Sequence, residues 1–259
     1  MKKLKFEYRT EVDFSGNVID HGFLLRCIPK EDERQHLESY SLDIWPKTDT
    51  IIDRDFWGNS RIQGAIAAPH NDFGFCVKGE ITVDLSRPRK GCHPIFHYPT
   101  EFTKTSPAME QFCKNALTGM DNENELSKAL KLMNLIYGTL IYASNVTNPE
   151  TKAEEAFALG KGVCQDYAHI LEALCLYAHI PARYVAGFML GEGYTHAWTE
   201  IFSDGCWYGL DPTNNLMVDE TYIKLAHGRD ARDCSVLRGG FKGCVMQNQK
   251  IYVHVEESL

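Results

Sequence analysis

Three residues of this 259-residue chain are of the types that transfer acyl groups through sulfur: Cys164, His196 and Asp211. Cys164 stands in the run GKGVCQDYAH, residues 160–169, after a glycine-rich turn and at what reads as the opening of a helix. Free backbone N–H groups and the helix dipole at such a position stabilise negative charge. They favour the thiolate, the nucleophilic form of cysteine. Gly160 and Gly162 let the chain turn tightly and leave room for a substrate carbonyl. The Cys164 amide N–H is a candidate donor to a developing oxyanion.

A thiolate nucleophile needs a base, and the base needs an orienting partner. His196 offers an imidazole in the run YTHAWTEIF, and Asp211 offers a carboxylate at the end of YGLDPT. A hairpin turning through Ser203, Asp204 and Gly205 has its centre near residue 204. It sets positions 196 and 211 almost opposite each other. Cross-strand neighbours stand about 5 Å apart at Cβ, which suits a carboxylate holding an imidazole N–H. That register favours Asp211 over Asp204.

The elements that must position these groups are legible as patterns. From Cys164 onward, Ala168, Leu171, Leu174, Cys175 and Ala178 make a helical stripe that Ile180-Pro181 ends. ARYVAGFML, THAWTEIF and CWYGLDPT follow as strand-like runs, and GCVMQNQKIYVHVE is a last strand. A helix followed by an antiparallel sheet is an α+β order. Upstream, Leu126, Leu130, Met133, Ile136, Tyr137 and Leu140 share one helical face, and Ser106-Pro107 reads as an N-cap with proline at N1. Residues 3–85 read as strands of a sandwich or barrel, with turns at Ser15-Gly16 and Gly58-Asn59. Pro88, Pro94, Pro99 and Pro107 mark a linker or crossing segment. The expected division is a β-rich unit over residues 1–100 and a catalytic unit over residues 101–259.

Bulk properties exclude some functions. A net charge of −8 argues against general nucleic-acid binding, which needs a cationic surface. No stretch approaches the 18 or so apolar residues of a membrane span, and MKKLKFEYRT lacks the apolar run of a secretory signal. Nine widely spaced cysteines with no CxxC speak for reduced thiols in the cytoplasm. Cys27, Cys76, Cys113, Cys175 and Cys206 read as inert. Cys92, His93 and His97 would need a fourth ligand to hold a metal, and none is evident. No metal or cofactor is called for. His169 reads as a buried, hydrogen-bonded ring, and Asp166 as a carboxylate favoured in a first helical turn. Trp198 reads as a core aromatic able to exclude water beside His196.

The runs GVCQDYAH, ALCLYAHIPARYVAGF, THAWTEIF, CWYGLDPTNN and GRDARDCSVLRGG occur in that order between residues 160 and 240. Together they resemble the bacterial transglutaminase-like superfamily, whose members are often described as cysteine proteases. The β-rich start resembles the N-terminal domain that accompanies this module. The resemblance implies a papain-like core, a nucleophile helix packed on an antiparallel sheet, and a triad of Cys164, His196 and Asp211. It also implies structural or site-shaping roles for Asp166, His169, Arg183, Tyr184, Trp198 and Arg229, with Asp166, Trp198, Tyr184 and Arg183 as the site-shaping or oxyanion candidates. In LCLYAHIP many relatives carry a basic residue and a glycine before Ile-Pro, a departure expected to alter the helix surface and not the chemistry.

The expected function is thiol-dependent acyl transfer on a peptide or amide, through a thioester. With water as acceptor this is a cysteine peptidase or amidase; with an amine it is a transglutaminase. A non-catalytic binding protein on the same fold is the alternative. Neither nucleic acid nor membrane is an expected partner, and a homo-oligomer is compatible with the sequence.

Overall fold

A computed structural model describes residues 1–88 and 91–258. Residues 89 and 90 of the expected crossing segment, and residue 259 at the expected end of the catalytic unit, lie outside the described residues.

The chain opens with β1 (Lys2–Leu25), whose Leu4, Phe6, Tyr8, Thr10, Val12 and Phe14 alternate inward. Then come β2 (Gln35–Trp45), β3 (Thr50–Arg54), β4 (Ser60–Ile66) and β5 (His70–Val83). Ser15-Gly16 does not make the expected hairpin. The first half of β1 already has β5 on one side, and on the other a strand from the far end of the chain. With both edges taken, the second half cannot fold back. The register instead breaks between Asp13 and Val18, and the strand passes into a second set of partners that includes β4. The turn at Gly58-Asn59 does join β3 to β4, with Gly58 at φ 72°.

The helical part follows: a 3-10 turn (Pro94–His97), α1 (Pro107–Ala116), α2 (Glu125–Thr139), β6 (Ile141–Tyr142), α3 (Ala153–Leu159), β7 (Lys161–Gly162) and α4 (Cys164–Tyr177). Ser106 caps α1, its side chain accepting the Met109 N–H at 3.4 Å, and Pro107 is the first helical residue. The buried face of α2 is Ala129, Leu132, Met133 and Ile136, so the apolar stripe is rotated from the expected one and Tyr137 is exposed. α4 packs on α1, α2 and α3, and beneath it lies a sheet. It is therefore buried all round from Asp166 to Leu176, more than one stripe requires.

The remaining strands are β8 (Ala182–Met189), β9 (Gly191–Gly193), β10 (His196–Ser203), β11 (Cys206–Asp211), β12 (Leu216–Met217), β13 (Tyr222–Gly228), β14 (Leu237–Lys242) and β15 (Gln247–Glu257). The sheet under α4 has the antiparallel order β12-β11-β10-β8-β13. β14 and β15, expected with the catalytic unit, instead pair with β1. Residues from both ends of the chain thus build one sheet. Phe188, Ile223 and Leu225 from the α4-bearing sheet share its core. The architecture is α+β: antiparallel β-rich layers joined to a helix-on-sheet unit.

Candidate active site

Cys164 is the first residue of α4. The turn before it is built by two short segments. β6 and β7 pair in parallel, with the Ile141 N–H donating to Gly160 O at 3.0 Å and the Ala143 N–H to Gly162 O at 2.9 Å. Gly160 takes the left-handed conformation at φ 66°, ending α3. Asp166 then ties the turn to the helix: its Oδ2 accepts from the Val163 N–H and the Thr147 hydroxyl, each at 2.7 Å. Gly162 is needed for that closeness, because a Cβ there would lie 2.5 Å from Asp166 Oδ2. Burial lifts the Asp166 carboxyl above its ordinary value, against the pull of these bonds. Cys164 is partly buried against Ala168, Tyr184, Ala186 and Ala197.

His196 is the first residue of β10, and Asp211 the last of β11. The imidazole Nε2 donates to Asp211 Oδ2 at 2.7 Å. The Cys164 side chain lies close enough to the same ring to add to its basicity. Burial disfavours charge on His196, but the bond to Asp211 and the interaction with Cys164 outweigh it and raise the pKa to about 9. Asp211 is fully buried. Its Oδ2 also accepts from Tyr222 Oη at 2.9 Å and Asn214 Nδ2 at 2.8 Å, while Oδ1 accepts the Thr213 and Asn214 N–H groups at 2.9 and 3.2 Å. Burial alone would raise the carboxyl; the donors, His196 first, hold it below its ordinary value.

The hairpin delivers this pair by a register different from the expected one. Asp204 and Gly205, at φ 49° and 78°, form a two-residue turn of the type I′ kind, and Ser203 pairs with Cys206. Thr199 pairs with Leu210, so the next step outward sets Trp198 opposite Asp211. His196 is the diagonal neighbour, two residues further along the same face. Diagonal pairs stand about 7–8 Å apart at Cα, a gap that an imidazole and a carboxylate close.

Trp198 is buried, with its ring 6.4 Å from His196 and within 30° of parallel. Gly187, opposite His196 on β8, makes room for it: a Cβ there would lie 2.5 Å from Trp198 Cη2. Tyr184 is buried beside Cys164 and 5.0 Å from the His169 ring. His169 Nε2 accepts the Ala231 N–H at 3.0 Å, and burial lowers its pKa to about 3. It is a neutral packing histidine. Arg183 lies outside the constellation: its side chain pairs with Glu200 and stacks 3.9 Å from the Trp207 ring. On β8 successive side chains alternate between faces, so Arg183 and Tyr184 point to opposite sides. Arg229 is held by Asp233, also apart from Cys164, His196 and Asp211. His93 Nδ1 accepts the Ile95 N–H at 3.2 Å, closing the 3-10 turn.

Three contributors escape a reading of motifs. Tyr222 and Asn214 bond Asp211. Tyr142, exposed on β6, is close enough to Cys164 for the sulfur to help raise its phenol pKa, after burial. Asn214 follows Asp211 closely enough for an Asx-type loop to be read from DPTNN. The two tyrosines reach the site only through strand order.

Residues 4–82 match the model of the bacterial transglutaminase-like N-terminal region, and residues 112–212 that of the transglutaminase-like superfamily. An uncharacterized protein of Mycobacterium tuberculosis is 29% identical over 281 residues, spanning 92% of this chain and 87% of the relative. One of Mycobacterium leprae is 24% identical over 242 residues, spanning 84% and 85%. The crystal structure described as a "putative cysteine protease" from Cytophaga hutchinsonii superposes with a TM-score of 0.80 at 24% identity, over 99% of this chain and 91% of that one. That likeness shows the fold. Among the described residues, no helix is long and apolar enough to cross a membrane.

Proposed function

The chain belongs to the transglutaminase-like superfamily, and on that footing we propose that it is a thiol-dependent acyl-transfer enzyme with Cys164, His196 and Asp211 as its triad. The observation that carries this reading is the single imidazole held by Asp211 at 2.7 Å on Nε2 and interacting with Cys164. The sulfur attacks an amide carbonyl, and the thiol proton passes to His196 Nδ1. The oxyanion takes the Cys164 N–H at the helix N-terminus. The C–N bond breaks as His196 protonates the leaving amine, leaving a thioester. His196 then takes a proton from water or from an incoming amine, which attacks the thioester and frees the sulfur. Asp211 fixes the ring tautomer and orientation and balances the imidazolium charge. Water as acceptor makes the enzyme a peptidase or amidase, the activity we favour, and an amine makes it a transglutaminase. Nine unpaired cysteines suit a reducing compartment, so we place the enzyme in the cytoplasm.

The test is mass spectrometry of the protein after incubation with a peptide-amide library, with and without a primary amine. A thioester adduct on Cys164, absent from Cys164→Ala, is expected, and the released product tells acid from amide. Iodoacetamide at pH 6 is the control: if it labels Cys164 no faster than the exposed Cys244, the protein is a binding module instead.

A further inference from the structure

The first sheet holds a second constellation that the triad does not use. Where β1 exchanges β15 for β14 as its partner, a cleft of about 390 Å³ opens, lined on its buried side by Val12, Phe14, His21 and Phe73, with Phe241 half-buried and Arg238, Gln247 and Gln249 as its exposed polar lining. His21 is only 4% exposed. Its ring stands 4.8 Å from Phe73 and 5.8 Å from both Phe14 and Phe241, edge-on to each.

The hydrogen bonds of His21 fix its tautomer. His70 Nδ1 lies 2.9 Å from Ala68 O. A carbonyl oxygen only accepts, so the proton of neutral His70 sits on Nδ1 and its Nε2 is an acceptor. His21 Nδ1 lies 3.1 Å from that Nε2 and must donate to it. In neutral His21 the proton is thereby spent, and its Nε2 is a bare acceptor. Burial first, and then the neighbouring His70, hold the His21 pKa below its ordinary value, so the ring is neutral at pH 7. No donor among the described residues meets His21 Nε2. Gly239 leaves the space beside it open, since a Cβ there would lie 3.1 Å from that nitrogen.

We propose that this cleft binds a phenolic ring, whose flat body packs among the three phenylalanines and whose hydroxyl donates to His21 Nε2. Among the aromatic rings the one acceptor is His21 Nε2, which selects a neutral ligand with one donor for the buried end, while Gln247 and Gln249 meet the ligand only at the exposed end. An ammonium would lose its hydration at the buried end with no carboxylate lining the cleft to replace it, and it would meet Arg238 on entry.

Histidine-detected 15N NMR of the full-length protein at pH 7 tests this with p-cresol and 4-methylanisole. The anisole has a similar aromatic body and an acceptor but no donor. Expected are His21 and His70 both protonated on Nδ1, a saturable p-cresol shift at His21 Nε2, and 4-methylanisole binding at least about tenfold more weakly. N-acetyltyrosinamide binding as tightly as p-cresol assigns the site to a tyrosine side chain; weaker binding assigns it to a free phenol. His21→Phe keeps an aromatic ring without the acceptor and should erase the preference for p-cresol. If that variant does not fold, the tautomer and the two titrations of the native protein still decide. A proton on His21 Nε2, absence of a p-cresol shift there, or equal binding of the two ligands overturns the proposal.

Discussion

Tyr222 donates its hydroxyl to Asp211 at 2.9 Å, although β13 and β11 are separated in their sheet by β10 and β8. The ring reaches over the sheet edge-on to Trp198, 5.5 Å away. The carboxylate that steers His196 is therefore held from three places: the imidazole, the Thr213–Asn214 loop and a distant strand. Tyr222→Phe removes one donor and keeps the ring. We expect the carboxylate to be less firmly ionised and oriented and His196 to become less basic. Alkylation of Cys164 by iodoacetamide at pH 6 should slow about 3–10-fold, and its pH profile should shift to higher pH. A slower rate with an unchanged profile would make Tyr222 a packing residue only.

The His196–Asp211 pair should also leave a pH signature in stability. His196 is raised from 6.5 to about 9 in the fold. Its contribution is fully present below pH 6.5 and is lost as pH rises through about 9. Asp211 is depressed from 3.8, so its contribution is present above that value and is lost as pH falls through the lower one. The pair stabilises most between roughly pH 4 and 6.5. The Tm gap between wild type and His196→Gln should be widest near pH 5–6 and close above pH 9.5. A gap constant from pH 5 to 10 would rule out the charged pair.

The proposed triad reads from the sequence because its logic is local. Cys164 announces itself by a glycine turn and a helix start. His196 and Asp211 share a face because side chains alternate with period two, so a register shifted by two residues still brings them together. What escaped depends on strand order. Ser15-Gly16 has the chemistry of a turn, but β5 and β15 occupy both edges of β1 there and leave no partner for a hairpin. β15 reads as a strand of the nearest sheet, yet pairs with residues more than two hundred positions away. Tyr222 carries no motif at all.

Arg183, expected near the chemistry, predicts an effect on folding instead. Glu200 accepts from Arg183 Nε at 2.7 Å and from Lys224 Nζ, and all three side chains are about 95% buried. Glu200→Ala would leave two buried cations without their shared carboxylate. Removing one partner of such a cluster costs about 3–5 kcal/mol. At about 2–4 °C per kcal/mol for a chain of this size, Tm should fall by roughly 6–20 °C. Calorimetry measures this. The Cys164 alkylation rate of the folded variant, taken at 15 °C, should stay within twofold of wild type. A slowed reaction in a fully folded variant would return Arg183 and Glu200 to the site.

The departure LCLYAHIP falls on the cap of the nucleophile helix. His179 lies just beyond α4 with φ 60°, a left-handed conformation that glycine adopts without strain. The His179 N–H donates to Leu176 O at 3.0 Å and the Ile180 N–H to Cys175 O at 2.8 Å, the two bonds of a Schellman ending. Ile180 and Cys175 are buried in one core, completing it with the usual apolar contact. The motif is thus intact around a residue that pays for its backbone. His179 is exposed, and its ring contributes no bond to the cap, so His179→Gly removes strain and little else. The gain is partly offset by the greater freedom of glycine in the unfolded chain. A net stabilisation of about 0.5–1 kcal/mol is expected, which raises Tm by roughly 1–4 °C. His179→Ala keeps a Cβ in the left-handed conformation and should give no such gain. Equal Tm values for the two variants would mean that the backbone there is not strained and that the substitution is neutral.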